Sequence, residues 1–119
     1  MIITQKQVPP PWVRWEHSDG KGYYIVLNTT AAAALDYATV LMIDRLGCVL
    51  CIRKAVPSDR YPLYANVNKG LLRIGIDRRM RRAIDVEEHP NRARISATTK
   101  DTDHGLMVCF VMPSEEEEE

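Results

Sequence analysis

Short runs in which apolar and polar residues alternate recur along this chain, and turn residues separate them in pairs. Alternation with period 2 marks a strand that buries one face. Residues 12–17 and 23–27 are two such runs. Residues 18–22, Ser-Asp-Gly-Lys-Gly, turn the chain between them, with two glycines available for positive φ. Asn28 follows as a helix cap. Residues 29–36 then read as a short helix, with Ala31, Ala34 and Leu35 inward and Ala32 and Ala33 outward. Residues 39–43 and 48–54 form a second hairpin around a turn at 44–47. Residues 55–62, with two prolines and Ser58-Asp59, read as a linker.

Beyond the linker the same order returns. A strand at 63–67 turns at Asn68-Lys69-Gly70 into a strand whose Leu72, Ile74 and Ile76 share one face. Asp77 is suited to cap a helix, because its carboxylate accepts from the unpaired amides of the first turn. Met80, Ala83 and Ile84, at i, i+3, i+4, give a helix at 78–85 one apolar stripe. A loop at 87–91 leads to strands at 92–98 and 106–112, around a polar turn at 99–105.

The two halves also share residues. With one gap, Lys21, Gly22, Ile25, Leu27 and Asn28 fall on Lys69, Gly70, Ile74, Ile76 and Asp77. Ala34, Leu35, Asp36 and Tyr37 fall on Ala83, Ile84, Asp85 and Val86. Ile43 falls on Ile95, and GCVLCI at 47–52 falls on GLMVCF at 105–110, with Cys51 on Cys109. Repeat arrays need three or more units, so two copies point to a closed pseudo-symmetric pair. The expected fold is therefore mainly β with two short helices: one barrel over 12–113, made of two tandem ββαββ units, copy one at 12–54 and copy two at 61–112. Residues 1–11 are an N-terminal arm that ends in an extended run, Pro9-Pro10-Pro11. Residues 114–119 are a disordered acidic tail.

Charge changes this picture in one place. The formal net charge is zero, but Glu115 to Glu119 carry five of the 16 acidic groups. Without them the body has 16 basic and 11 acidic side chains, a net of +5. Three cysteines are too few for a disulfide framework and suit a reducing compartment, here the cytoplasm. No apolar run approaches the ~18 residues of a membrane span, and no signal pattern opens the chain. Cys48 and Cys51 spell CxxC, but residues three apart on a strand face opposite ways, and no second CxxC completes a zinc site. No metal, cofactor or enzymatic nucleophile is expected: no Ser or Cys stands in a nucleophile motif, and no glycine-rich phosphate loop is present. Asp36 and Asp85, at matching positions, read as structural groups that hold the turn after each helix.

The candidate site is the second helix. Arg78, Arg79, Arg81 and Arg82 fall off its apolar stripe, with Arg73 and Lys69 just upstream and Arg92 and Arg94 as further candidates. Four guanidinium groups within two turns repel one another and suit a partner that carries phosphates. The plainer reading is a solvated face neutralised by Asp77, Asp85, Glu87 and Glu88. The acidic tail reads as a solubility tail or as a competitor for these arginines. The small outer face of the first helix reads as covered by the arm or tail, or as a protein contact.

A hairpin with glycine at its turn, a strand ending in a capped short helix and a second hairpin resembles the swapped-hairpin domain of the AbrB/MazE/SpoVT transcription-factor family. In that family the stretch runs as a Gly-Arg turn, an Ile-x-Ile strand, a Pro-containing cap and a helix with Leu-Arg-Arg. Here Lys69-Gly70 stands near the turn, Arg73-Ile74-Gly75-Ile76 fills the strand, and Met80-Arg81-Arg82-Ala83-Ile84 stands at the helix. The likeness covers residues 12–112 as two copies. The cap proline is missing from both, and copy one lacks the basic helix. The resemblance implies an interlocked barrel, here a monomeric pseudo-dimer or a homodimer. It also implies a transcriptional regulator that contacts double-stranded DNA mainly through copy two. The alternative fold is a double-psi β-barrel. The alternative function is a protein-interaction module, or a virus-encoded inhibitor, that grips an acidic protein through the same arginines.

Overall fold

A computed structural model describes residues 8–18, 22–84, 93–103 and 105–111. The segment at 1–7, the loop at 87–91 and the acidic tail lie outside these residues. In chain order the strands are β1 (Trp12–Ser18), β2 (Gly22–Leu27), β3 (Val40–Leu46), β4 (Val49–Lys54), β5 (Leu63–Asn68), β6 (Leu71–Ile76), β7 (Arg94–Thr102) and β8 (Gly105–Val111). Helix α1 (Thr29–Ala34) follows β2, and α2 (Arg78–Ile84) follows β6. The strands close into one barrel in the order β1-β2-β6-β5-β3-β4-β8-β7. All eight neighbouring pairs run antiparallel, which gives no support to the double-psi alternative.

Alternation fills the interior. Val13, Trp15, Ile25, Leu27, Leu41, Leu50, Ile52, Leu72, Ile74 and Val108 point inward and are fully or almost fully buried. Trp15 meets Phe110 edge to face, with ring centroids 6.1 Å apart. An eight-stranded barrel is narrow enough for side chains to fill it, so this is a packed core and not a channel. Each of these side chains contributes ~1.5–3 kcal/mol on full burial, which makes the barrel the main source of stability.

Because β2 and β6 are antiparallel neighbours, α1 and α2 leave the sheet at opposite ends of the barrel. Helix α1 is pinned by Asn28, the one buried polar side chain among the described residues. Its Oδ1 accepts from the Ala31 N–H at 3.0 Å and from the Trp12 N–H at 3.1 Å, and its Nδ2 donates to the Pro10 carbonyl at 2.9 Å. One side chain thus caps the helix and ties it to the start of β1. Ala32, expected outside, is fully buried with Ala31 and Leu35. Methyl side chains let the helix approach the barrel end closely, so its buried arc is wider than the spacing suggested. Thr29 and Ala33 form its exposed side.

Two hairpins are tighter than expected. Asp44, Arg45 and Leu46 belong to β3, and Leu46 pairs with Val49 across a two-residue turn, Gly47-Cys48. Gly47, at φ 64, supplies the positive φ that a two-residue hairpin turn requires. Cys48 is therefore a turn residue and not a strand residue. Thr99 to Thr102 are strand as well, paired with Val108 down to Gly105. They look like a turn in sequence because neither of their faces is buried so far from the core.

Candidate nucleic-acid interface

Asp77 starts α2 as expected: its Oδ1 accepts from the Met80 N–H at 2.8 Å. Met80 packs partly against the core, which turns the neighbouring positions outward. Arg78, Arg79 and Arg82 are exposed and together line one open concavity of about 500 Å3. Arg81 is half-buried, with its guanidinium carbon 4.6 Å from the centre of the Tyr23 ring. Arg79 lies over Tyr61 at 3.9 Å.

Among the described residues no carboxylate pairs with these four arginines. The ion pairs between described residues include Arg14 and Arg73 with Glu16, Arg53 with Asp44 and Asp59, and Lys54 with Asp36. Asp77, one of the expected neutralising groups, is engaged as the helix cap. Asp85, Glu87 and Glu88 lie outside the described residues.

The remaining predicted site residues separate. Arg73 is on the outer face of β6, 3.7 Å over the Tyr24 ring and 3.8 Å from Glu16. Lys69 and Gly70, at φ 55 and 82, form the two-residue turn between β5 and β6. Positive φ at both positions is the type I′ geometry. That turn is at the other end of β6 from α2, about 20 Å away at the ordinary rise per residue. Arg94 stacks on Trp12 at 4.4 Å, also far from α2 along the barrel. Arg92 is outside the described residues.

Sequence reasoning missed the aromatic half of this surface. Guanidinium–ring contacts join Arg14 and Arg94 to Trp12, Arg73 to Tyr24, Arg79 to Tyr61 and Arg81 to Tyr23. Such contacts ordinarily occur about once per 70–80 residues. Here five lie on β7, β1, β2, β6, α2 and, through Tyr61, the segment before β5, and among the described residues none is seen on β3, β4 or β8, so arginine and aromatic rings share one side of the barrel. The closeness of Tyr61 to Pro62 and Tyr64, and of Tyr23 to Tyr24, was the available signal. A groove of about 390 Å3 lies beside α2, lined by Tyr23, Tyr24, Pro62, Tyr64, Gly75 and Asp77 among others.

The cysteines lie on the opposite side. Cys51 and Cys109 face each other across β4 and β8, with sulfurs 3.0 Å apart and Cys109 donating. Burial, and then the hydrogen bond to Cys51, push the Cys109 thiol up to about 11. Cys48 is exposed, and all three are free thiols. Among the described residues no three His, Cys, Asp or Glu side chains gather as metal ligands. Nor is any described helix long and apolar enough to cross a membrane.

Comparison with protein-family models, with curated proteins and with solved structures finds no match to this chain.

Proposed function

We propose that this chain is a DNA-binding transcriptional regulator of AbrB-like type, in which the α2 arginines grip the phosphates of a duplex. One observation carries the reading: Arg78, Arg79 and Arg82 converge on one concavity, and no described carboxylate neutralises them. Guanidinium groups gathered on one short helix repel one another, and a polyanion between them relieves that repulsion. Arginine binds phosphate bidentately, and phosphate contacts position a protein on a duplex without reading its sequence. Arg79 and Arg81 are already propped on rings, which lowers the cost of ordering them on binding.

The chain is further proposed to be a pseudo-dimer of two interlocked ββαββ units. The strand ring supports this. Exchanging β1–β4 with β5–β8 returns the same eight neighbouring pairs. The registers agree: Ile25 faces Ile74 and Cys51 faces Cys109, so both pairs would straddle a twofold axis. Beside the first, Tyr23 facing Ile76 is matched by Leu72 facing Leu27. Beside the second, Leu50 facing Phe110 is matched by Val108 facing Ile52. In this frame Leu41, and not Ile43, corresponds to Ile95, because Val13 faces Ile95 as Leu63 faces Leu41. Ile43 then corresponds to Ala97. The hairpins of the two units alternate around the ring, which is the sense in which the halves interlock.

The units differ at their caps. Asn28 corresponds to Asp77, and Trp12 to Pro62. Proline has no N–H to give Asp77, and a carboxylate has no donor to return. Copy one therefore fixes its helix for structure, while copy two presents arginines. Fluorescence anisotropy with a labelled duplex at low salt tests the reading. Binding that weakens steeply as salt rises is expected, and no binding at low salt would overturn it.

A further inference from the structure

We infer that the groove beside α2 seats one unpaired DNA base, with Tyr64 as its stacking platform; the inference rests on the DNA-binding reading above. Tyr64 is 66% exposed, and among the described residues no ring or guanidinium stacks on it. It stands on the outer face of β5, since its neighbours Leu63 and Ala65 belong to the core. Tyr24 stands on the outer face of β2, opposite Gly75 of β6. The backbones of the two tyrosines therefore flank Gly75, two strand spacings or about 9.5 Å apart, and the edge of the Tyr24 ring leans over Gly75 toward Tyr64.

Gly75 makes the floor. Its φ is not in the left-handed region, so no backbone demand explains the glycine. A Cβ there would meet the Tyr64 carbonyl oxygen at 3.7 Å and Tyr24 Cε1 at 4.0 Å, ordinary contacts that leave room for alanine. What a larger residue would fill is the groove itself. At about 390 Å3 it is within the ~300–1,000 Å3 range of clefts that hold small ligands.

The rim selects for an anionic planar ligand. Tyr23 lines the groove and carries Arg81 on its ring, and Pro62 lines it next to Tyr61, which carries Arg79. Neither guanidinium lines the groove itself, but each stands one ring or one residue from its lining, within reach of the phosphates flanking a seated base. Asp77 also lines the groove, and its Oδ1 is engaged by Met80. Its second oxygen can accept from the exocyclic amino group of adenine, guanine or cytosine. A platform ring with arginine beside it is how proteins hold unpaired bases, and a duplex with its bases stacked inside cannot use it.

The test compares three DNAs of one sequence at fixed low salt: a perfect duplex, the duplex with one bulged adenine, and the single strand. The bulged duplex and the single strand should each bind at least ~5-fold tighter than the perfect duplex, the lower end of what one stacked base contributes. Tyr64→Ala should erase that preference and leave affinity for the perfect duplex unchanged. Tyr64→Phe should keep it, and Gly75→Val should erase it by filling the floor. Equal binding of all three DNAs by the wild type, or a preference that survives Tyr64→Ala, would overturn the seat and leave duplex binding standing. Binding to none of them would overturn the seat and the DNA-binding reading together.

Discussion

Asn28→Ala should be the most damaging single change outside the apolar core. Three hydrogen bonds disappear with the amide. The Ala31 N–H loses its cap, which costs ~1 kcal/mol. The Trp12 N–H, half-buried, loses its acceptor, at ~1 kcal/mol or more. The Pro10 carbonyl belongs to an exposed residue, so water replaces its donor at little cost. The total is ~2–3 kcal/mol, a large share of the ~5–15 kcal/mol that holds a domain. Asp77→Ala removes a single cap bond at an exposed site and should cost ~0.5–1 kcal/mol. Urea unfolding followed by tryptophan fluorescence separates them, since Trp15 is buried against Phe110. At an ordinary urea dependence the midpoint should fall by about 1–2 M for Asn28→Ala and by less than about 1 M for Asp77→Ala. Asn28→Asp should fall between, because it keeps both acceptor bonds but buries a charge. Equal shifts for the two alanine variants would refute the pinning of α1 to β1 by this side chain.

Ala32→Arg should prevent or severely weaken folding, because Ala32 is fully buried. Ala33→Arg should leave the melting temperature nearly unchanged, because that position is exposed. Calorimetry reads both. Thiol labelling of the folded protein at pH 8 should modify Cys48 quickly and Cys51 and Cys109 only on unfolding. The Cys109 thiol is raised in the folded state, so the stability it contributes is full below its ordinary 9.0. That stability should be lost as pH rises toward about 11, and Cys109→Ser should flatten the loss. Asp59 behaves oppositely. Hydrogen bonds from Arg53, and then from the Val56 N–H, hold its carboxyl down at about 2. Its contribution is present above the ordinary 3.8 and should disappear as pH falls through about 2, and Asp59→Asn should remove that acid sensitivity.

The sequence carried the barrel well because strand alternation is a local signal. Leu72, Ile74 and Ile76 alternate in the chain and point into the core in the fold. Strand ends were less legible. Asp44 and Thr99 to Thr102 are polar and resemble turn residues, yet they pair beyond the part of the barrel that needs apolar side chains. Ala32 misled because alanine leaves no moment by which to tell an inner from an outer face. For the site, the arginines were plain but their surroundings were not. Tyr61 meets Arg79 across the β5–β6 hairpin, and Tyr23 meets Arg81 across the long-range β2–β6 pairing, so ring and guanidinium come together only once the strands pair. Asn28 was recognisable as a cap, but its reach to Pro10 and Trp12 depends on β1 lying beside it.

The most direct measurement of the central claim is the slope of log affinity for duplex DNA against log salt, for the wild type and for Arg78→Ala with Arg82→Ala. Both side chains are exposed, and alanine favours helix, so the double variant should fold. Each phosphate that the protein no longer neutralises lowers the slope by ~0.9, so the double variant should have a slope shallower by up to ~2. An unchanged slope in the folded double variant would contradict the account and remove these arginines from a DNA interface.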